Sequence, residues 1–185
     1  MISQLDVPTF TIGRVAAAAG VPVAALATNL RRGYIALATE ESVDSRHPGT
    51  GQHRLFSPRR ALHIALTMAL VRAGIWVKQA SNYALAFSDH TGSDSDQYAT
   101  IVGGDEKPAP SCRQPCKLYD GATWFRVMFR FGKDVPAVSV DRGSVVLANP
   151  FLMDNSLYES VVIVDLNAVA ERVLGALGLP VSLVR

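Results

Sequence analysis

The chain has 185 residues, of which 49% are hydrophobic, 18% charged and 8% aromatic. That is core material for one ordinary domain or two small ones, and it excludes a disordered polyelectrolyte or a low-complexity chain. The net charge of +2 is unevenly spread: residues 1–90 hold nine Lys/Arg against five acids (+4), and residues 91–185 hold nine against eleven (−2). An arginine-rich first half on a mildly acidic second half suggests a nucleic-acid module joined to another unit. Two cysteines exclude a disulfide scaffold, no N-terminal stretch is built like a secretory signal, and the apolar runs fall short of the roughly 20 residues of a membrane span. A soluble, cytoplasmic protein with no membrane partner is expected.

Thr11 stands as an N-cap before Ile12, Val15, Ala16 and Ala19, an apolar stripe at helical spacing that Gly20 ends, so the pattern predicts a short helix. Val21-Pro22 restarts the chain, and Val23, Leu26 and Leu30 continue at helical spacing to about Arg32, where Gly33 stops a second helix. The short glycine-bearing turn between them makes a helix-turn-helix pattern. Tyr34-Ile35-Ala36-Leu37 and His53-Arg54-Leu55-Phe56 read as two strands of a hairpin, or wing, around a polar loop. Ser57-Pro58 then sets a capping serine before a proline at the first helical position. Residues 61–73 form a strongly apolar third helix closed by Gly74. Residues 75–87 form a fourth, with Val77, Ala80, Tyr83 or Ala84, and Phe87 on one face.

Residues 88–117 are rich in Ser, Gly, Asp and Pro and read as a linker with one strand at 98–102. Beyond it, residues 123–131, 137–140, 144–147 and 161–165 read as strands, with Asp141-Arg142-Gly143 as a hairpin turn. Residues 167–177 supply a closing helix with Val169, Val173, Leu174 and Leu177 inward, ended by Gly178 and Pro180. The expected class is α+β. A winged helix-turn-helix domain covers residues 1–90 and a linker 91–117; a small α+β domain with an antiparallel sheet and a C-terminal helix covers 118–185.

In a helix-turn-helix the second helix enters the major groove while the first crosses the DNA backbone. Burying Val23, Leu26 and Leu30 leaves Ala24, Ala25, Thr28, Asn29 and Arg32 on the opposite face. The alanines permit close approach, Thr28 and Asn29 can meet base edges, and Arg31 and Arg32 suit phosphate or guanine. Arg14 on the first helix joins this contact set. The wing loop adds Arg46, His47, Gln52, His53 and Arg54, donors that can lie along a phosphate backbone. Arg59 and Arg60 fall in the first turn of the third helix, where they oppose the helix dipole, a mismatch that an external phosphate would relieve.

The runs Thr11-Ile12-Gly13-Arg14-Val15-Ala16-Ala17-Ala18-Ala19-Gly20-Val21, Arg31-Arg32-Gly33-Tyr34-Ile35, His53-Arg54-Leu55-Phe56-Ser57 and Arg72-Ala73-Gly74-Ile75 carry a resemblance. In order and spacing, over about residues 9–88, they resemble the winged helix-turn-helix of the MerR family and its phage excisionase-like and small-terminase-like relatives. The resemblance implies that the second helix reads the major groove and that Arg54, which matches a wing arginine, contacts the DNA backbone. Ala27, Thr28, Asn29 and Leu30 stand where that family has an arginine, two tyrosines and an acid.

Cys112 and Cys116 have no histidine in the second half to complete a zinc set and read as linker thiols. His63 reads as a packed side chain. Asp120, Asp134, Asp141, Asp154 and Asp165 fall at predicted turns and strand ends, where aspartate bonds locally. No phosphate loop and no Ser, His and acid set stands at motif spacing, so neither enzyme, metal nor cofactor is expected. The expected function is a sequence-specific, double-stranded DNA-binding transcriptional regulator acting as a homodimer. The C-terminal helix and the tail from Pro180 are its expected self-association surface, and RNA polymerase or another protein is a candidate partner of the C-terminal domain. The alternatives are a phage or mobile-element DNA-binding protein of excisionase or terminase small-subunit type, and an adaptor whose winged fold docks proteins.

Overall fold

The computed structural model describes residues 4–35, 55–88, 122–130, 137–142 and 158–181. A short 3-10 turn (Gln4–Asp6) leads into β1 (Phe10–Thr11), α1 (Ile12–Ala19) and α2 (Val23–Arg31). β2 (Leu55–Phe56), α3 (Pro58–Arg72) and α4 (Val77–Ser88) follow, and β3 (Ala122–Arg130), β4 (Ala137–Arg142), β5 (Tyr158–Asp165) and α5 (Leu166–Leu177) complete the order. Helices with a small antiparallel sheet make the fold α+β.

The helix ends follow from local chemistry. Gly20 takes φ 69° and ψ 40°, and its N–H donates to Ala17 O while the Val21 N–H donates to Ala16 O. That pair of bonds satisfies carbonyls the last turn of α1 would otherwise leave open. Pro22, with φ −60°, is the N-cap of α2, which closes in the same manner at Gly33 (φ 66°), with the Gly33 N–H on Leu30 O and the Tyr34 N–H on Asn29 O. Between α1 and α2 the chain turns through 109°. At Gly20 a side chain would meet only Arg72 Nη1, 3.8 Å away, an ordinary contact. Gly20→Ala is therefore expected to destabilise the fold through backbone strain alone, by about 1 kcal/mol, visible as a lowered thermal midpoint. Before α3, Ser57 Oγ accepts the Arg60 N–H at 3.3 Å, and Pro58 starts the helix as its position predicts.

Two strand expectations are corrected. β2 pairs antiparallel with β1, Phe10 opposite Phe56 and Thr11 opposite Leu55, whereas Tyr34 and Ile35 are not in a strand. The returning segment is held by the chain before α1, because Phe10 and Phe56 are both buried there. The wing residues 36–54 lie outside the described residues. In the second sheet, of order β4-β3-β5, all neighbours are antiparallel. Asp141 and Arg142 extend β4 opposite Trp124 and Ala122 across an irregularity in the ladder. They are not turn residues, since pairing with β3 outweighs their turn chemistry. The expected strands at 98–102 and 144–147, and Cys112 and Cys116, lie outside the described residues.

The core is continuous across what the sequence divides into two units. α3 is buried on nearly every side, through Leu62, Ile64, Leu66 and Leu70 among others. α4 sets Ala80, Tyr83 and Ala84 into the core, and α1 sets Val15, Ala16, Ala18 and Ala19. α5, with the Asp165 carboxylate accepting the Ala168 N–H at its start, packs on both α1 and α3 through Leu166, Val169, Ala170, Val173, Leu174 and Leu177. Val127 of β3 belongs to the same cluster, and Val162 and Val164 of β5 pack on it. The inward face of α5 is thus the expected one, but its partners are α1 and α3 of its own chain. Leu179 and Val181 lie against the same core. The apolar face of the helix expected to mediate self-association is buried inside the fold, and α5 shares its core with the first helices.

Candidate nucleic-acid interface

Because α2 leaves α1 at 109°, only its middle lies over the core. Leu26 is fully buried, and Leu30 is partly buried against the same cluster. Val23, expected inside with them, is 46% exposed: it is the first helical residue after Pro22, a turn ahead of the part of α2 that reaches the core at Leu26. The outward surface of α2 is therefore wider than the periodicity predicts. Ala24, Ala25, Ala27, Arg31 and Arg32 are exposed, and Thr28 and Asn29 are half-buried beside them. The first turn is low and apolar, the middle carries a hydroxyl and an amide, and the end carries two guanidinium groups.

An aromatic pair adjoins the arginine end. The Arg32 guanidinium carbon lies 6.0 Å from the centroid of the Tyr34 ring, and Tyr34 meets Trp76 with ring centroids 5.8 Å apart and planes inclined by 56°. The first distance is the outer limit of a cation–π contact, and the second is a tilted aromatic pair. Trp76 is 55% exposed, although Ile75 before it is buried. Neither aromatic residue stands out in the sequence, where Tyr34 reads as strand and Trp76 as helix. The signal was local. After the αL turn at Gly74, with the Ile75 N–H bonded back to Leu70 O, one apolar residue anchors the chain and the next must face out.

The remaining expected contacts are dispersed. Arg14 is exposed on α1, sits 5.2 Å over the Phe10 ring, and donates through Nη2 to Leu177 O at 3.0 Å, so it closes the C-terminal end of α5. Arg59 and Arg60 are each 2% exposed. Arg59 donates through Nε and Nη2 to the two carboxylate oxygens of Asp6, at 2.6 and 3.0 Å, and through Nη1 to Ser88 O at 2.8 Å. The anion that answers its position at the start of α3 is an internal carboxylate, not an external phosphate. Burial likewise removes Arg60 from the expected phosphate contacts. Arg46, His53 and Arg54 lie outside the described residues.

His63 is fully buried, as a packed side chain should be, with Nδ1 2.8 Å from Ser88 Oγ and Nε2 3.1 Å from Ser81 Oγ. The Ser88 hydroxyl also donates to Ala84 O at 3.3 Å, so both ring nitrogens of His63 have a hydroxyl partner. Asp6, Arg59, Ser88, His63 and Ser81 thus form one polar chain, buried except at the half-buried Asp6, that ties the N-terminal turn, α3 and α4 together. Among the described residues no three His, Cys, Asp or Glu side chains are grouped to hold a metal ion, and no single helix is long and apolar enough to cross a membrane.

No family model, no curated protein and no solved structure matches the chain.

Proposed function

We propose that the chain is a sequence-specific, double-stranded DNA-binding transcriptional regulator built on a MerR-like winged helix-turn-helix, with α2 as its recognition helix. The observation that carries this reading is the α1–α2 pair. Two short helices turn through 109° at a glycine, and the second keeps only Leu26 fully buried while presenting Ala24, Ala25, Thr28, Asn29, Arg31 and Arg32 outward. The angle lies within the range of helix-turn-helix motifs, and the small residues of the first turn fit the close approach that the major groove demands. Thr28 and Asn29 supply base-edge donors and acceptors, and Arg32 supplies a guanine or phosphate contact. One short helix covers little surface, so a homodimer on two half-sites is the working stoichiometry, assembled through a surface other than the buried face of α5.

Fluorescence anisotropy of the full chain on random and genomic duplexes over a salt series tests this. Affinity is expected to fall steeply as salt rises. Arg32→Ala is expected to cost about 1–3 kcal/mol on the preferred sequence and less on others, whereas Arg54→Ala weakens all sequences alike. Binding no tighter than that of a basic control protein at low salt would overturn the reading in favour of a protein-docking module.

A further inference from the structure

We infer that Trp76, with Tyr34 and Arg32 beside it, forms a stacking site for an unpaired base of a nucleic-acid strand. This goes beyond the duplex contacts of α2 and does not depend on them. At 55%, Trp76 is the most exposed large hydrophobic side chain among the described residues. Its place is nonetheless fixed. Ile75 before it is buried and bonded back to Leu70 O, and Trp76 O accepts the Ala80 N–H at 2.8 Å as the first turn of α4 begins. Tyr34 is held in turn by its N–H on Asn29 O at 2.9 Å. Its ring lies 5.8 Å from the indole, inclined by 56°, so it can cover only one face of it, and the Arg32 guanidinium carbon is 6.0 Å from the tyrosine ring on the α2 side. A rigid aromatic surface in water therefore ends at a cation.

Charge selects what stacks there. Within residues 4–35 and 55–88 the only carboxylate is Asp6, and Arg59 holds it. Arg31 and Arg32 before Tyr34, and Lys78 two residues after Trp76, are all exposed. A wholly apolar partner on the aromatic pair would take the Arg32 guanidinium out of water without a counter-ion. A nucleotide answers both features, with a planar base for the indole and a phosphate for the cation. In an intact duplex the bases stack on one another and offer no free face, whereas an unpaired base offers one. Stacking on an aromatic side chain accepts any base, because every base has a π-face.

The test uses the full chain and labelled oligothymidylate, read by fluorescence anisotropy, with an abasic strand of equal length and polyglutamate as controls for charge alone. The wild type is expected to bind oligothymidylate more tightly than either control. Trp76→Ala is expected to weaken that binding by roughly 5- to 150-fold while changing abasic binding and the thermal midpoint little, and Trp76→Phe, which keeps an aromatic face, is expected to retain most of it. In a Trp124→Phe chain Trp76 is the sole tryptophan, and oligothymidylate but not the abasic strand is expected to quench its fluorescence. Wild-type affinity in Trp76→Ala overturns the inference, and so does equal binding of the abasic strand or of polyglutamate, which would make the surface a site for charge or for an acidic peptide. If duplexes are still bound, those results leave the proposed function standing. A chain that binds oligothymidylate through Trp76 but binds no duplex keeps this site and overturns the recognition-helix reading.

Discussion

Replacing Arg59 by methionine is expected to lower the free energy of unfolding by about 1.5–3 kcal/mol, the range for hydrogen bonds to charged groups, because the Asp6 carboxylate left behind is 30% exposed and regains water. The guanidinium grips both oxygens of Asp6 and the carbonyl of Ser88 at the last residue of α4, so the substitution releases the N-terminal turn and the end of α4 together. A domain of ordinary stability has only about 5–15 kcal/mol to lose. Urea unfolding followed by circular dichroism would measure the loss. A double-mutant cycle with Asp6→Ala should give a coupling of at least about 1 kcal/mol. A loss below 1 kcal/mol for Arg59→Met would mean that the guanidinium is solvated, and its assignment as a structural group would have to be withdrawn.

Ending the chain at Asp165 is expected to abolish cooperative folding of the N-terminal helices as well as of the sheet. α5 buries Leu166, Val169, Val173, Leu174 and Leu177 against α1 and α3, and each buried aliphatic side chain of that size contributes about 1.5–3 kcal/mol. Five of them amount to something on the order of the whole stability of a domain. The milder Leu174→Ala should cost about 2–5 kcal/mol through its lost burial and the cavity left behind. Amide chemical-shift dispersion of the shortened chain distinguishes the cases. Dispersed signals for residues 4–88 would mean that the first four helices fold alone and that α5 only rests on them. Collapsed signals would confirm that α1 to α4 depend on α5.

The helices were legible because their signals are local. The αL glycines at 20, 33, 74 and 178, the serine cap before Pro58 and the apolar spacing of α4 and α5 each act within a turn or two of the chain. The buried exceptions were not legible for the same reason. Arg59 looks like an arginine misplaced at a helix start until Asp6, 53 positions away, arrives beside it. Val23 continues a perfect apolar stripe, yet a 109° bend carries it off the core. Tyr34 and Trp76, 42 positions apart in sequence, become a surface pair only when the turns at Gly33 and Gly74 bring them together.

By itself, then, the sequence determined where the helices start and stop, that an antiparallel sheet follows them, and which residues of α2 are small or hydrogen-bonding, because caps, turns and periodicity depend on neighbouring residues. Tertiary structure alone decided that Arg59 is an internal partner, that β2 pairs with β1, and that α5 completes the core beneath α1. Those outcomes depend on which surfaces lose water together, and residues as far apart as Arg14 and Leu177, separated by 163 positions, meet only after that burial.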